Sequence, residues 1–239
     1  FQFECQNMTE RGGKPPRGYK MRTVVFDLDG TLADTSGDLL AAANACFRDL
    51  GLGDLLVPGP DDGIAHRGGR AMLKAGFDRM GRDYDEAEID RQYPRLLAFY
   101  DANIDVHSVL YPGTREAILR LQDAGYVVAI CTNKPVGLAE KLMTSLNFRD
   151  EFAALLGADS LDIRKPDGRH LTETVVQAGG DPARCCLVGD TATDRNAAKD
   201  AGRPAILVTF GPNAHTVADL APEATIDHFD ELFDVVEAL

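Results

Sequence analysis

The sequence predicts an α/β fold, a doubly wound parallel sheet with a small all-helical block inserted after the first strand. Three observations carry that expectation. An apolar run, Thr23-Val24-Val25-Phe26, has the unbroken hydrophobicity of a strand buried on both faces. Residues 35–108 then show helical periodicity and no clear strand. From Pro112 onward strand-like and helix-like segments alternate, which implies parallel strands joined by helical crossovers.

The elements follow in order. Within the insert, Asp38–Leu50 places Leu39, Ala42, Ala43, Cys46, Phe47 and Leu50 at helical spacing, and Gly51 can end the helix. Asp85–Ala102 does the same with Ile89, Tyr93, Leu96, Leu97 and Tyr100, although Pro94 argues for a break or kink inside it. In the second half, helices over 114–124, 136–146, 171–178 and 194–201 alternate with strands over 126–131, 152–156, 185–188 and 205–208. Residues 224–226 read as a short edge strand before a final helix, 229–239. The expected division is therefore an α/β core of 21–34 and 109–239, a helical block of 35–108, and a disordered or appended tail of 1–20. The chain begins with Phe1, so Met8 or Met21 is the expected native start.

Composition narrows the function classes. The 239 residues are 44% hydrophobic, enough for a substantial core, and carry a net charge of −13 from 38 acidic and 25 basic residues. A nucleic-acid backbone is repelled by such a balance, whereas a small anion can still bind where cations gather locally. No run approaches the ~18 apolar residues of a membrane span, and residues 1–20 lack the apolar core of a signal peptide. Cys5, Cys46, Cys131, Cys185 and Cys186 are odd in number and lack zinc-like spacing, so free buried thiols in a reducing cytoplasm are expected. The five histidines show no metal-like spacing.

The chemistry gathers where strands end. Asp27 and Asp29 are two apart, so an extended chain points both carboxylates the same way at the C-terminal edge of the first strand. Such a pair repels unless a cation or a shared proton intervenes. Gly30 lets the chain turn at once, and Thr31 follows. Asp-x-Asp-Gly also occurs in turns and calcium loops, but a calcium hand needs a Glu where Asp38 stands. After the 126–131 strand come Thr132, Asn133, Lys134 and Pro135, which read either as an anion site or as a helix cap. After the 185–188 strand comes Gly189-Asp190-Thr191-Ala192-Thr193-Asp194, where capping explains one Asp more easily than two. Lys165-Pro166 lies between these segments, either as a solvated charge or as a balance for the carboxylates.

These four segments, in this order, resemble the signature motifs of the haloacid dehalogenase (HAD) superfamily. Within it, Tyr111-Pro112-Gly113, Cys131-Thr132-Asn133-Lys134-Pro135, Gly157-Ala158-Asp159-Ser160 and Asn196–Gly202 look most like the phosphoglycolate phosphatase branch. The resemblance implies a Rossmann-like core with a helical cap. It also implies an Mg²⁺-dependent hydrolase of a small anionic phosphate ester, with 2-phosphoglycolate as the expected substrate. On that resemblance Asp27 is the nucleophile and Asp29 the acid/base, while Thr132, Asn133 and Lys165, with Gly30 and Thr31, hold the phosphate. Asp27, the Asp29 carbonyl and Asp190 hold Mg²⁺, with Asp194 in support. Asp34 caps the first helix of the block.

Substrate choice is expected in the cap, where Arg67 or Arg70 in a Gly-rich loop can read a carboxylate or stay solvated. The segments Asp167-Gly168-Arg169-His170 and Thr209-Phe210-Gly211-Pro212 depart from the commoner pattern of that branch. The rival functions are a phosphatase of a sugar phosphate, nucleotide or pyrophosphate, a sugar-phosphate mutase, and a non-catalytic binder of phosphometabolites. A monomer or homodimer is expected.

Overall fold

The computed structural model describes residues 22–81 and 83–239, so the readings of the tail, the native start and Cys5 lie outside the described residues. Six parallel strands form one sheet: β1 (Thr23–Phe26), β4 (Val127–Cys131), β5 (Ala154–Leu156), β6 (Cys185–Gly189), β7 (Ala205–Val208) and β8 (Ala224–Ile226). Their order is β5-β4-β1-β6-β7-β8. The chain winds outward in both directions from β1. The C-terminal ends of β4 and β6 therefore flank that of β1, which is where such sheets bind ligands.

Alternation along the strands sends side chains to two separate cores. Val24, Phe26, Val128, Ile130 and Val188 face one layer of helices, α5 (Thr114–Asp123), α6 (Val136–Ser145) and α10 (Leu232–Ala238). Val25, Ala129, Cys131 and Leu187 face the other, α7 (Gly168–Gln177) and α8 (Ala192–Asp200). A short helix, α9 (Ala214–Val217), follows β7.

Between β1 and β4 lie α1 (Ser36–Asp49), α2 (Asp62–Ala65), α3 (Gly69–Arg79) and α4 (Glu86–Ala102). A short antiparallel pair, β2 (Ala33–Asp34) with β3 (Val109–Leu110), joins the chain where it leaves for these helices and where it returns. Helix α4 runs unbroken for 17 residues through Pro94. Its amino end is closed by Asp85, which accepts from the Glu88 amide at 2.8 Å, and its Ile89, Leu96 and Tyr100 are buried. Tertiary packing thus outweighs the hydrogen bond that a proline removes. The expected final helix begins as a 3₁₀ turn, Phe229–Glu231, before α10. No described helix is long and apolar enough to cross a membrane.

Candidate active site

Asp27 and Asp190 leave adjacent strands, β1 and β6, at the same edge of the sheet. Carboxylate oxygens of Asp27, Asp190 and Asp194 all lie within 4.8 Å of one another. The buried Lys165 enters from the loop before α7 and places Nζ 2.9 Å from Asp27 Oδ1 and 2.6 Å from Asp194 Oδ1. Burial pushes the Asp27 carboxyl up to about 7; Lys165 opposes this, and Asp194 and Asp190 add to it. Burial disfavours the charge of Lys165, yet Asp194 and Asp27 hold its ammonium above its ordinary value.

Asp194 serves two ends. Its Oδ2 accepts from Thr191 Oγ1 at 2.7 Å and the Thr191 amide at 3.1 Å, forming the capping box of α8, while Oδ1 meets Lys165. Asp190 Oδ2 accepts from Asn213 Nδ2 at 3.0 Å, and its Oδ1 from Thr31 Oγ1 at 3.3 Å.

Asp29 stands outside the three-carboxylate cluster and lines the same cavity as Asp27. Its Oδ1 accepts from Thr35 Oγ1 at 2.7 Å and from Lys134 Nζ at 2.8 Å. Burial works against its charge, yet Lys134 and Thr35 hold the carboxyl below its ordinary value. Burial likewise opposes the charge of Lys134, and Asp29 keeps it above the usual lysine range.

The β4 loop completes the floor. Thr132 is buried and its Oγ1 accepts from the Lys134 amide at 3.1 Å. Asn133 Nδ2 donates to the Lys165 carbonyl at 2.9 Å, which fixes one loop against the other. Gly30, with φ of +80°, passes under Asp190. Asp34 accepts from the Ser36 amide at 3.1 Å, at the first turn of α1.

From the helical block, residues of α2–α4 and their loops close a cavity of about 740 Å³ over Asp27, Asp29, Thr132 and Lys165. Arg67 and Arg70 both line it. Arg70 is held by Asp90 at 2.7 Å and Glu86 at 3.1 Å, whereas Arg67 is exposed and makes no ion pair among the described residues.

Four residues at the site were given no role of their own by the sequence reading: Lys134, Thr35, His66 and Asn213. The buried His66 points Nδ1 toward Asp190 Oδ2 at 3.7 Å, and neither ring nitrogen has a hydrogen-bond partner of good geometry. Burial lowers its pKa, but Asp190, with Asp29 and Asp34, holds it above its ordinary value. Lys134 was findable, because it follows Thr132 and Asn133 on a strand-end loop. The other three had no spacing signal.

A sequence model of haloacid dehalogenase-like hydrolases matches residues 21–202. The chain is 44% identical over 209 residues to a phosphoglycolate phosphatase of Mesorhizobium japonicum, covering 87% of this chain and 92% of that one. It is 32% identical over 224 residues to an N-acetylmuramic acid 6-phosphate phosphatase of Pseudomonas aeruginosa, covering 91% and 96%. A crystal structure described as a predicted phosphoglycolate phosphatase from Haemophilus somnus superposes with a TM-score of 0.77 at 25% identity, covering 91% of this chain and 99% of that one. The chain belongs to the haloacid dehalogenase-like hydrolase family.

Proposed function

We propose that this hydrolase cleaves phosphomonoesters through an aspartyl-phosphate on Asp27, with 2-phosphoglycolate as substrate. One observation carries the reading: three carboxylates, two at neighbouring strand ends and one in the first turn of α8, gather within 4.8 Å beside a buried lysine. Such a cluster has more carboxylates than cations, and the Asp27 carboxyl is raised first by burial and then by Asp194 and Asp190. Hard carboxylate oxygens suit Mg²⁺. Asp27, Asp190 and the Asp29 carbonyl would hold the ion, with Asp194 steadying Lys165 beside it. Bound there, Mg²⁺ supplies charge neutralisation for the phosphoryl oxygens and the nucleophile.

The chain's own groups account for the rest. Asp27 forms a bond to phosphorus as the phosphorus–ester oxygen bond breaks. Asp29 gives its proton to the leaving oxygen, then takes one from the water that splits the phosphorus–Asp27 bond. The phosphate dianion entering beside Asp29 opposes the pull of Lys134 and lets Asp29 carry that proton. Lys165, Thr132 and Asn133, with the backbone at Gly30 and Thr31, cradle the transferred oxygens. Residues 35–108 act as a cap that excludes water during the transfer. Arg67 offers an open guanidinium to arriving anions. The four described cysteines are free and buried, in keeping with a reducing compartment such as the cytoplasm.

The test is phosphate release from a panel of phosphorylated metabolites, with and without Mg²⁺. 2-Phosphoglycolate is expected to rank first and to need the ion. Asp27→Asn should lower kcat by at least ~10³-fold with the fold intact. Retained turnover would reject the nucleophile. The cavity volume, larger than a two-carbon ester needs, favours one second reading: a phosphorylated sugar acid, as named for the Pseudomonas relative. The same panel separates the two.

A further inference from the structure

Lys134 is a buried cation that the phosphate cradle does not require. It is 6% exposed and sends Nζ to Asp29 Oδ1 at 2.8 Å and Oδ2 at 3.2 Å. Nζ also lies 4.3 Å from the centre of the Tyr100 ring, on cap helix α4. Both side chains line the cavity. The backbone of Lys134 is pinned at both ends, since its amide donates to Thr132 Oγ1 at 3.1 Å and its carbonyl accepts from the Ala158 amide at 2.9 Å. The Tyr100 hydroxyl is buried and has no hydrogen-bond partner of good geometry.

We infer that Lys134 recognises a carboxylate carried next to the ester oxygen of the leaving group, with Tyr100 completing the subsite. The inference rests on the phosphatase reading and sharpens it to phosphorylated α-hydroxy acids. Asp29 must touch the ester oxygen to protonate it. An ammonium in contact with Asp29 is therefore a neighbour of that same oxygen. In a phosphorylated α-hydroxy acid the carboxylate carbon is two bonds from the ester oxygen, within hydrogen-bonding distance of that ammonium. A lysine ammonium carries three donors, and the two oxygens of Asp29 take at most two, leaving a third that the Tyr100 side chain or a substrate oxygen can take. The Tyr100 ring fixes the ammonium through its face, and its hydroxyl is a second open donor.

The charge balance agrees. Asp29 and Lys134 neutralise each other in the free site, so the substrate carboxylate does not enter against a net negative charge at that place. An ester lacking the carboxylate gains nothing from Lys134, and one carrying it many bonds away cannot bring it there. Arg67, exposed at the rim on a Gly-rich loop, suits capture of anions better than measurement of where the charge sits.

The experiment compares 2-phosphoglycolate with 2-hydroxyethyl phosphate, a ligand of the same length whose carboxylate is replaced by an alcohol. Turnover of both by the wild type gives the selectivity, as the ratio of the two kcat/KM values. Binding of both to an Asp27→Ala background, with and without Lys134→Met, separates recognition from chemistry. Lys134→Met is expected to weaken 2-phosphoglycolate about 10- to 100-fold, as loss of a charged hydrogen bond does, and the alcohol by much less. Lys134→Arg should recover part of the preference, and Tyr100→Phe should weaken 2-phosphoglycolate alone. Equal weakening of both ligands would make Lys134 a positioning partner of Asp29 and nothing more. Should Lys134→Met fail to fold, selectivity unchanged in both Lys134→Arg and Tyr100→Phe overturns the subsite. A wild type without preference for 2-phosphoglycolate overturns the substrate reading as well. A wild-type preference that survives Lys134→Met overturns the lysine assignment alone.

Discussion

Gly30 carries more than a turn. A Cβ built there would sit 2.5 Å from His66 Nδ1 and 2.6 Å from Asp190 Oδ2, on a backbone with φ of +80°. Alanine would therefore strain the loop and push on a carboxylate proposed to hold Mg²⁺. Gly30→Ala should cost about 1–3 kcal/mol of stability and weaken Mg²⁺ binding, read by thermal melts and by calorimetric titration of the metal. A folded variant with unchanged Mg²⁺ affinity would show that Asp190 is not a ligand. At this scale the sequence disclosed the residues that stand at strand ends, because sheet topology alone brings Asp27, Thr132 and Asp190 to one edge. His66 and Asn213 were hidden because each reaches Asp190 from a loop whose path depends on tertiary packing. The guanidinium of Arg70 is engaged by acids in the first two turns of α4, a pairing that becomes visible only once α3 and α4 are docked.

Among the elements, the long apolar strands were legible from hydrophobicity, and their bounds shifted by a residue or two. The two-residue β2–β3 pair and the four-residue helices α2 and α9 were not, since so short a piece has no period to detect, and Arg70, expected in a Gly-rich loop, stands instead in the first turn of the unpredicted helix α3, whose Gly69 and Gly76 mask its periodicity. Helix α7 illustrates an element whose packing has a pH consequence. Its His170 is fully buried, and neither ring nitrogen has a hydrogen-bond partner of good geometry. Burial, with Lys165 adding to it, pushes its pKa down from 6.5 to about 4. Well above pH 6.5 the ring is neutral in the folded and the unfolded chain, so it has no effect on stability. As pH falls from 6.5 toward 4 the unfolded chain takes up a proton that the fold resists, and stability declines by up to ~3 kcal/mol. The melting temperature should therefore drop between pH 7 and pH 4.5, and drop less in His170→Leu. An equal drop in both proteins would assign the acid sensitivity to other groups.

For the whole molecule, the cavity works only if its two walls keep their spacing. One wall belongs to the core, with Asp27, Thr132 and Lys165, and the other to the helical block, with Arg67 and Tyr100. Beyond the apolar packing, Lys134–Tyr100 and His66–Asp190 join them at the site, exposed pairs join them at the surface, and a buried clasp inside the block holds the segment that leads back to the core. Exposed polar contacts tie the end of α4 region to α6, such as Lys141–Asp101 at 2.9 Å, and pairs of this kind are worth about 0–1 kcal/mol. Asp38 is different. Its carboxylate, 2% exposed in α1, accepts from the amides of His107 and Ser108 and from Ser108 Oγ, so it clasps the segment by which the chain returns to the core. Removing it strands buried donors, which costs about 1–3 kcal/mol and outweighs the surface contacts. Asp38→Ala should accordingly lower the melting temperature and raise KM for 2-phosphoglycolate more than it lowers kcat, because the groups proposed for the chemical step all lie on the core wall. Steady-state kinetics on the variant, below its melting transition, gives the split. A fall in kcat with KM unchanged would mean that the clasp shapes the chemical step itself, and an unchanged pair of constants would confine Asp38 to holding the fold.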